Sequence, residues 1–120
     1  MNALIASSSG KARRLSGFNG YVGRAGLRPR QAVRVTLECP ASLKGQPVSV
    51  FSPDGGGTVP PNDAVTVKAD GTASFVFQAG ADHGLYRVFV QAARQRNLIE
   101  FYVLDLEHPN NNPPRVKIVD

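Results

Sequence analysis

Tryptophan is absent from this 120-residue chain, and cysteine and methionine occur only once each. The single cysteine, Cys39, excludes an internal disulfide and any metal site built from several cysteines. No apolar run approaches the roughly 20 residues of a membrane-spanning helix, so no membrane span is expected. No window places apolar residues at the helical period of about 3.6, so helix should be nearly absent.

Glycine and proline are plentiful by contrast, with 12 and 9 residues, and they separate short apolar runs. This composition is typical of an all-β chain with many turns. Hydrophobic residues make up 42% of the sequence, which is enough for a packed core, and the length is that of one domain. We therefore expect a single all-β domain.

The positive charge is concentrated towards the start of the chain. Residues 1–47 contain eight basic residues and one acidic residue, whereas the remainder contains six basic and eight acidic residues. A basic segment can bind nucleic acid, an anionic surface or an acidic glycan. Residues 1–17 are small, polar and basic but lack interleaved aromatics, so we expect a disordered, solvated tail and no nucleic-acid partner.

After this segment the apolar residues recur with a period of two. At 33–39 every second residue is apolar, ending at Cys39, which is the pattern of a half-buried strand. Asp70 and Gly71 form a strong hairpin signal and should join two paired strands. One further strand is predicted within 19–27. The pattern predicts six more strands, within the runs 32–40, 47–53, 64–67, 72–79, 84–93 and 97–106.

About seven short antiparallel strands with frequent turns predict a two-sheet sandwich over residues 18–106. The sequence that follows, 107–120, begins with linker composition and ends in RVKIVD, a candidate for an extra strand. The predicted organisation is therefore a tail at 1–17, one sandwich domain, and a linker with an extra strand.

The stretch GADHGLYRVFV, residues 80–90, places Asp82, Gly84 and Tyr86 at the spacing of the tyrosine corner in immunoglobulin domains. In such a corner glycine permits the tight turn, while the tyrosine ring packs inward and its hydroxyl satisfies a backbone group. Asp82 and His83 are neighbours on an extended chain, so their side chains point to opposite sides. We therefore expect a structural corner rather than a catalytic pair, and no catalytic residues.

The resemblance to immunoglobulin domains extends upstream and covers about residues 20–105. The run VTLEC, 35–39, resembles strand B, and Val88 stands where the second cysteine of strand F would be. Phe51 lies near the usual position of the strand C tryptophan. Because the tryptophan and the second cysteine are both missing, the chain resembles bacterial immunoglobulin-like or fibronectin-like modules rather than antibody domains.

Those families serve mainly as spacers, adhesion modules and assembly parts. The resemblance therefore implies a non-enzymatic binding or structural module of an exported bacterial protein. It implies a secreted, periplasmic or cell-surface location, with the leader peptide not present in this chain.

The alternation of residues in the strands that correspond to F and G predicts which face binds a partner. Inward-facing Tyr86 would leave the alternate residues of both strands on an outer face that is unusually apolar for a solvated surface. We expect this face to bind another protein or a second copy of the chain, unless the N-terminal segment or the RVKIV strand covers it. The predicted contact residues are Arg87, Phe89, Glu100, Tyr102 and Leu104.

Two alternative functions remain open. A carbohydrate-binding module would use exposed aromatics such as Tyr21, Phe89 or Tyr102 to stack on a glycan. A thiol enzyme would use Cys39, although the alternation of its strand places this residue in the core, where free cysteine behaves as a small hydrophobe. The acidic turn residues are dispersed and match no spaced calcium loop, so neither a metal nor a cofactor is expected.

Overall fold

The computed structural model describes residues 1–59, 65–104 and 118–119. Its one helical segment in these ranges is a single 3-10 turn at Ala41–Leu43. The strands are β1 Asn2–Ser7, β2 Ala12–Ser16, β3 Tyr21–Leu27, β4 Ala32–Glu38, β5 Pro47–Phe51, β6 Gly57–Val59, β7 Val65–Thr66, β8 Thr72–Gln78, β9 Gly84–Ala92 and β10 Gln95–Val103.

These strands form two five-stranded sheets that pack face to face, which confirms the predicted all-β sandwich. The first sheet has the order β2-β1-β4-β8-β6 and the second has the order β3-β10-β9-β5-β7. The strands are more numerous than the predicted seven. They are also not all antiparallel, because β3 pairs with β10 in parallel.

The core lies between the two sheets and is built by the alternation seen in the sequence. Phe75 and Phe77 of β8 and Phe101 of β10 are almost completely buried. The rings of Phe77 and Phe101 stack across the two sheets, with centroids 4.8 Å apart and planes 9° from parallel. Burying each such ring stabilises the fold by about 1.5–3 kcal/mol.

The prediction of a disordered tail at residues 1–17 is wrong. Strands β1 and β2 form a hairpin, and β1 also pairs with β4 along its whole length. Ala3 and Ile5 are fully buried and Leu15 is 5% exposed. The apolar signal of this segment is weak because alanine alternates with isoleucine among serines, but β4 supplies the neighbour that makes the strand stable.

The predicted hairpin at Asp70 and Gly71 is also wrong, although the turn itself exists. Strand β7 pairs with β5 in the second sheet, whereas β8 pairs with β4 and β6 in the first sheet. The Asp70 carboxylate accepts hydrogen bonds from the backbone N–H and the hydroxyl of Thr72, at 3.0 and 2.7 Å. The turn therefore carries the chain from one sheet to the other.

The described part of the C-terminal segment lies beside β3. Ile118 forms a parallel bridge with Gly26, and the Val119 N–H donates to the Gly26 carbonyl at 3.0 Å. The side-chain amide of Gln31 donates to the Val119 carbonyl. The rest of the predicted linker and extra strand lies outside the described residues.

Candidate functional site

Tyr86 lies at the start of β9 and is held by a local hydrogen bond. Its side chain is 6% exposed, and its hydroxyl donates to the Asp82 carbonyl at 2.8 Å. Gly84, between these two residues, has a φ of 137°, which favours glycine. Asp82 thus contributes its backbone carbonyl to this contact. Burial is the main cause that raises the pKa of Tyr86, followed by the nearby Asp82 carboxylate.

The alternation of β9 and β10 divides their side chains between the core and the outer face of the second sheet. Tyr86, Val88 and Val90 of β9 face the core, and so do the alternate residues of β10. Arg87, Phe89, Glu100 and Tyr102 therefore lie on the outer face. This is the register expected from the sequence.

Leu104, the fifth predicted contact residue, is largely buried and in this respect differs from the other four. Its side chain is 8% exposed. Leu104 follows the last residue of β10, Val103, so its side-chain direction is no longer set by the pleat of the strand.

An apolar row crosses four strands of the outer face. The register places Phe51 of β5 beside Phe89 of β9, Phe89 beside Leu98 of β10, and Leu98 beside Tyr21 of β3. Phe51 is 60% exposed and Tyr21 is 42% exposed. We call these four residues the apolar row.

A charged row runs beside the apolar row and alternates in sign. The register places Arg24 of β3 beside Glu100 of β10, and Glu100 beside Arg87 of β9. Beyond β9, the Arg87 guanidinium forms a two-pronged ion pair with Asp54, with N···O distances of 2.8 and 2.9 Å. We call Arg24, Glu100, Arg87 and Asp54 the charged row.

Hydrogen bonds hold the charged row in place. Asp54 also accepts the Arg87 backbone N–H at 2.8 Å, and these bonds from Arg87 lower the pKa of the Asp54 carboxyl. Glu100 Oε1 accepts the Tyr21 hydroxyl at 2.7 Å and lies 3.3 Å from Arg24 Nη2. Burial and, next, the bond to Glu100 raise the pKa of Tyr21. These bonds within the chain therefore fix the orientation of the charged side chains.

The Phe89 ring lies at the middle of the outer face and contacts two cations. The guanidinium carbons of Arg87 and Arg96 are each 5.7 Å from the centroid of the ring. Beside it is an open depression with a volume of about 240 Å³. The depression is lined by Ser49, Phe51, Phe89, Gln91 and Arg96.

Four of the five predicted contact residues lie on one face, but most of the residues that surround them were not predicted. Phe51, which the resemblance placed near the usual position of the strand C tryptophan, lies at the surface. The sequence of β5 contained the signal, because Val48 and Val50 alternate with Ser49 and so place Phe51 on the opposite side, as the structure shows. No comparable signal existed for Asp54, which reaches Arg87 from a turn.

The thiol of Cys39 shows no sign of activation. The residue is partly buried at the end of β4, and its backbone N–H donates to the Gly71 carbonyl at 2.9 Å. Burial raises the pKa of the thiol, which disfavours the nucleophilic thiolate. Among residues 1–59, 65–104 and 118–119, no three histidine, cysteine or acidic side chains cluster closely enough to hold a metal ion. Nor do these ranges contain a helix of the length and apolarity that crossing a membrane requires.

No protein-family model matches this sequence, and the search of curated proteins found no match either.

Proposed function

We propose that this chain is a non-enzymatic binding module that recognises another protein through the outer face of its second sheet. The observation that carries the proposal is the apolar row. A strand usually places polar side chains on its solvent face, yet here four apolar side chains from four strands adjoin one another. Aromatic residues and arginine are the residue types most enriched in protein interfaces.

The dimensions of the apolar row favour a protein partner. Four adjacent strands span about 14 Å between their outermost axes, given a spacing of about 4.8 Å between strands. Burying an exposed phenylalanine such as Phe51 would contribute about 1.5–3 kcal/mol. The strands are rigid, and the Asp54–Arg87 pair orients the neighbouring charges, so little conformational freedom is lost on binding.

The immunoglobulin-like identity and the exported bacterial setting belong to the same proposal. They are supported by the resemblance around Asp82, Gly84 and Tyr86, and by the bond from the Tyr86 hydroxyl to the Asp82 carbonyl. Modules of this kind act at the cell surface, in the periplasm or after secretion, where protein contacts are their main task.

Site-specific photo-crosslinking in the native cell tests the protein-binding role. A photoreactive phenylalanine at position 51 samples the apolar row. The same group at Leu4, which is 37% exposed on the outer face of the first sheet, is the matched control. We expect a product of defined mass from position 51 but not from position 4, and its loss when Phe89→Ser is added. Equal products from both positions, or none from position 51, would contradict the proposal.

A glycan is the second candidate ligand, and the depression beside Phe89 favours it. Phe51 and Phe89 provide apolar surfaces for a sugar ring, while Gln91 and Arg96 provide hydrogen-bond donors at the rim. Calorimetric titration with sugars should then show saturable binding that Phe89→Ala abolishes. The thiol-enzyme alternative has no comparable observation behind it, since Cys39 is partly buried at the end of β4.

A further inference from the structure

The charged row is self-complementary. From β3 towards β5 its signs alternate as Arg24, Glu100, Arg87 and Asp54. Read in the opposite direction, the same row begins with an acid and ends with a base. When a second copy of the row lies opposite the first in reversed order, each cation therefore faces an anion.

We infer that the protein partner is a second copy of this chain, packed face to face on the outer face of the second sheet. This inference rests on the proposed function. The two-fold axis lies between the two sheets, runs parallel to the strands and passes between β9 and β10. Rotation about it reverses the order of the strands, so β3 of one copy faces the β5 side of the other.

This axis pairs opposite charges twice over. Arg24 faces Asp54 of the second copy, and Glu100 faces Arg87 of the second copy. A two-fold axis that instead ran along the rows would keep the strand order and place Arg24 against Arg24 of the second copy. The alternation of sign therefore selects the axis parallel to the strands.

The same rotation matches the apolar rows. Phe51 faces Tyr21 of the second copy, and Phe89 faces Leu98 of the second copy. The most exposed ring of the row, Phe51, thus meets the other well-exposed ring, Tyr21. Each copy covers the apolar side chains of the other.

The balanced charges of the charged row favour a copy over an unrelated partner, and Arg96, a further cation of this face, would lie opposite Gln91 of the second copy, since the register pairs these two positions of β10 and β9. Within the chain, Arg24 lies 3.3 Å from Glu100, and Arg87 is bonded to Asp54, so the row carries no net charge. A neutral row does not favour a strongly acidic or basic partner, but it favours a partner with the same alternation. The N-terminal strands do not cover this face, because β1 and β2 lie in the other sheet.

Sedimentation equilibrium of the purified full chain tests the inference. We expect a concentration-dependent dimer for the wild type. Arg24→Glu alone and Asp54→Arg alone should each weaken dimerisation by about tenfold or more, because each places like charges opposite one another at two sites. An equimolar mixture of the two variants should restore it, since both cross-pairs in the heterodimer are again of opposite sign.

Arg14→Glu is the matched control, because Arg14 pairs with Glu38 at 2.6 Å on the first sheet. This variant should dimerise as the wild type does. Thermal melting checks that Asp54→Arg still folds after losing its bonds to Arg87. Should it unfold, a photoreactive phenylalanine at position 51 of the purified chain provides the second measurement, with its crosslink expected on the peptide that contains Tyr21.

A wild-type chain that stays monomeric up to near-millimolar concentration overturns the inference. If position 51 nevertheless crosslinks to a different protein in cells, the proposed binding function stands and only its partner changes. A dimer that the mixture of variants does not restore, or a crosslink from position 51 that misses Tyr21, also overturns the two-fold arrangement.

Discussion

The contact between Gly80 and Tyr86 allows a sharp test of how the start of β9 is held. A Cβ atom at position 80 would lie 2.6 Å from the Tyr86 hydroxyl oxygen and 3.3 Å from two carbons of its ring. The ring has little room to retreat, since it packs near Phe77, with centroids 6.3 Å apart, and lies close to Gly55. Gly80→Ala must therefore displace the hydroxyl.

The magnitudes follow from these distances. Tyr86→Phe removes the bond to the Asp82 carbonyl, and because Asp82 is exposed its carbonyl can be rehydrated, so the free energy of unfolding should fall by about 1 kcal/mol. Gly80→Ala should cost about 2–3 kcal/mol through overpacking and loss of the same bond. With phenylalanine at position 86, the nearest contacts are 3.3 Å, and Gly80→Ala should cost less than about 1 kcal/mol.

Urea denaturation of the wild type, both single variants and the double variant gives the coupling energy. We expect the double variant to be about 1–2 kcal/mol more stable than the sum of the single effects predicts. Gly57→Ala is the control, because a Cβ there meets no atom within 4 Å, and it should be nearly neutral. Additive effects to within about 0.5 kcal/mol would refute the argument that the two residues compete for the same space.

Three further expectations concern other parts of the chain. Ile5→Ala should lower the free energy of unfolding by about 2–5 kcal/mol, because Ile5 is fully buried; a thermal melt unchanged from the wild type would mean that residues 1–17 are a tail after all. Arg30→Gly should raise it by about 0.5–1 kcal/mol in urea titrations, because Arg30 has a φ of 62° in a turn that favours glycine; a loss of stability would show that its side chain contributes more than the strain costs. Asp54 has a lowered pKa in the folded state because of Arg87, so its contribution to stability is present above its unfolded pKa and disappears as the pH falls through the folded pKa. Melting temperatures measured across acidic pH should therefore fall less steeply below about pH 4 for Asp54→Asn than for the wild type, and identical pH profiles would contradict this role.

The local alternation of apolar and polar residues was informative for the two longest strands, β9 and β10. The alternation of β9 and β10 assigned Tyr86 and Phe101 to the core and Arg87 and Glu100 to the surface, as the structure shows. The alternation did not anticipate the burial of Leu104, which follows the last residue of β10, because the period of two applies only while the backbone is pleated.

Asp70 and Gly71 were correctly predicted to form a turn, but the strands that this turn joins were wrongly predicted to pair with each other. Asp70 and Gly71 turn the chain as their residue types require, and Gly71 has a φ of 86°. The dipeptide does not specify whether the next strand returns to the same sheet. Val67 is buried just before the turn, and after the turn the chain enters the other sheet. This change of sheet depends on how the two sheets pack around their shared core.

By itself, the sequence determined that the protein is an all-β sandwich and which residues of its longer strands face inward, because period, composition and turn chemistry are local properties. Only the tertiary structure decided that residues 1–17 are strands rather than a tail, because Ala3 and Ile5 become core residues only beside β4. It also decided that Phe51 and Tyr21 join Phe89 in the apolar row, since these residues lie far apart in the chain. Strand order brings them together, and strand order results from packing the whole chain around one core.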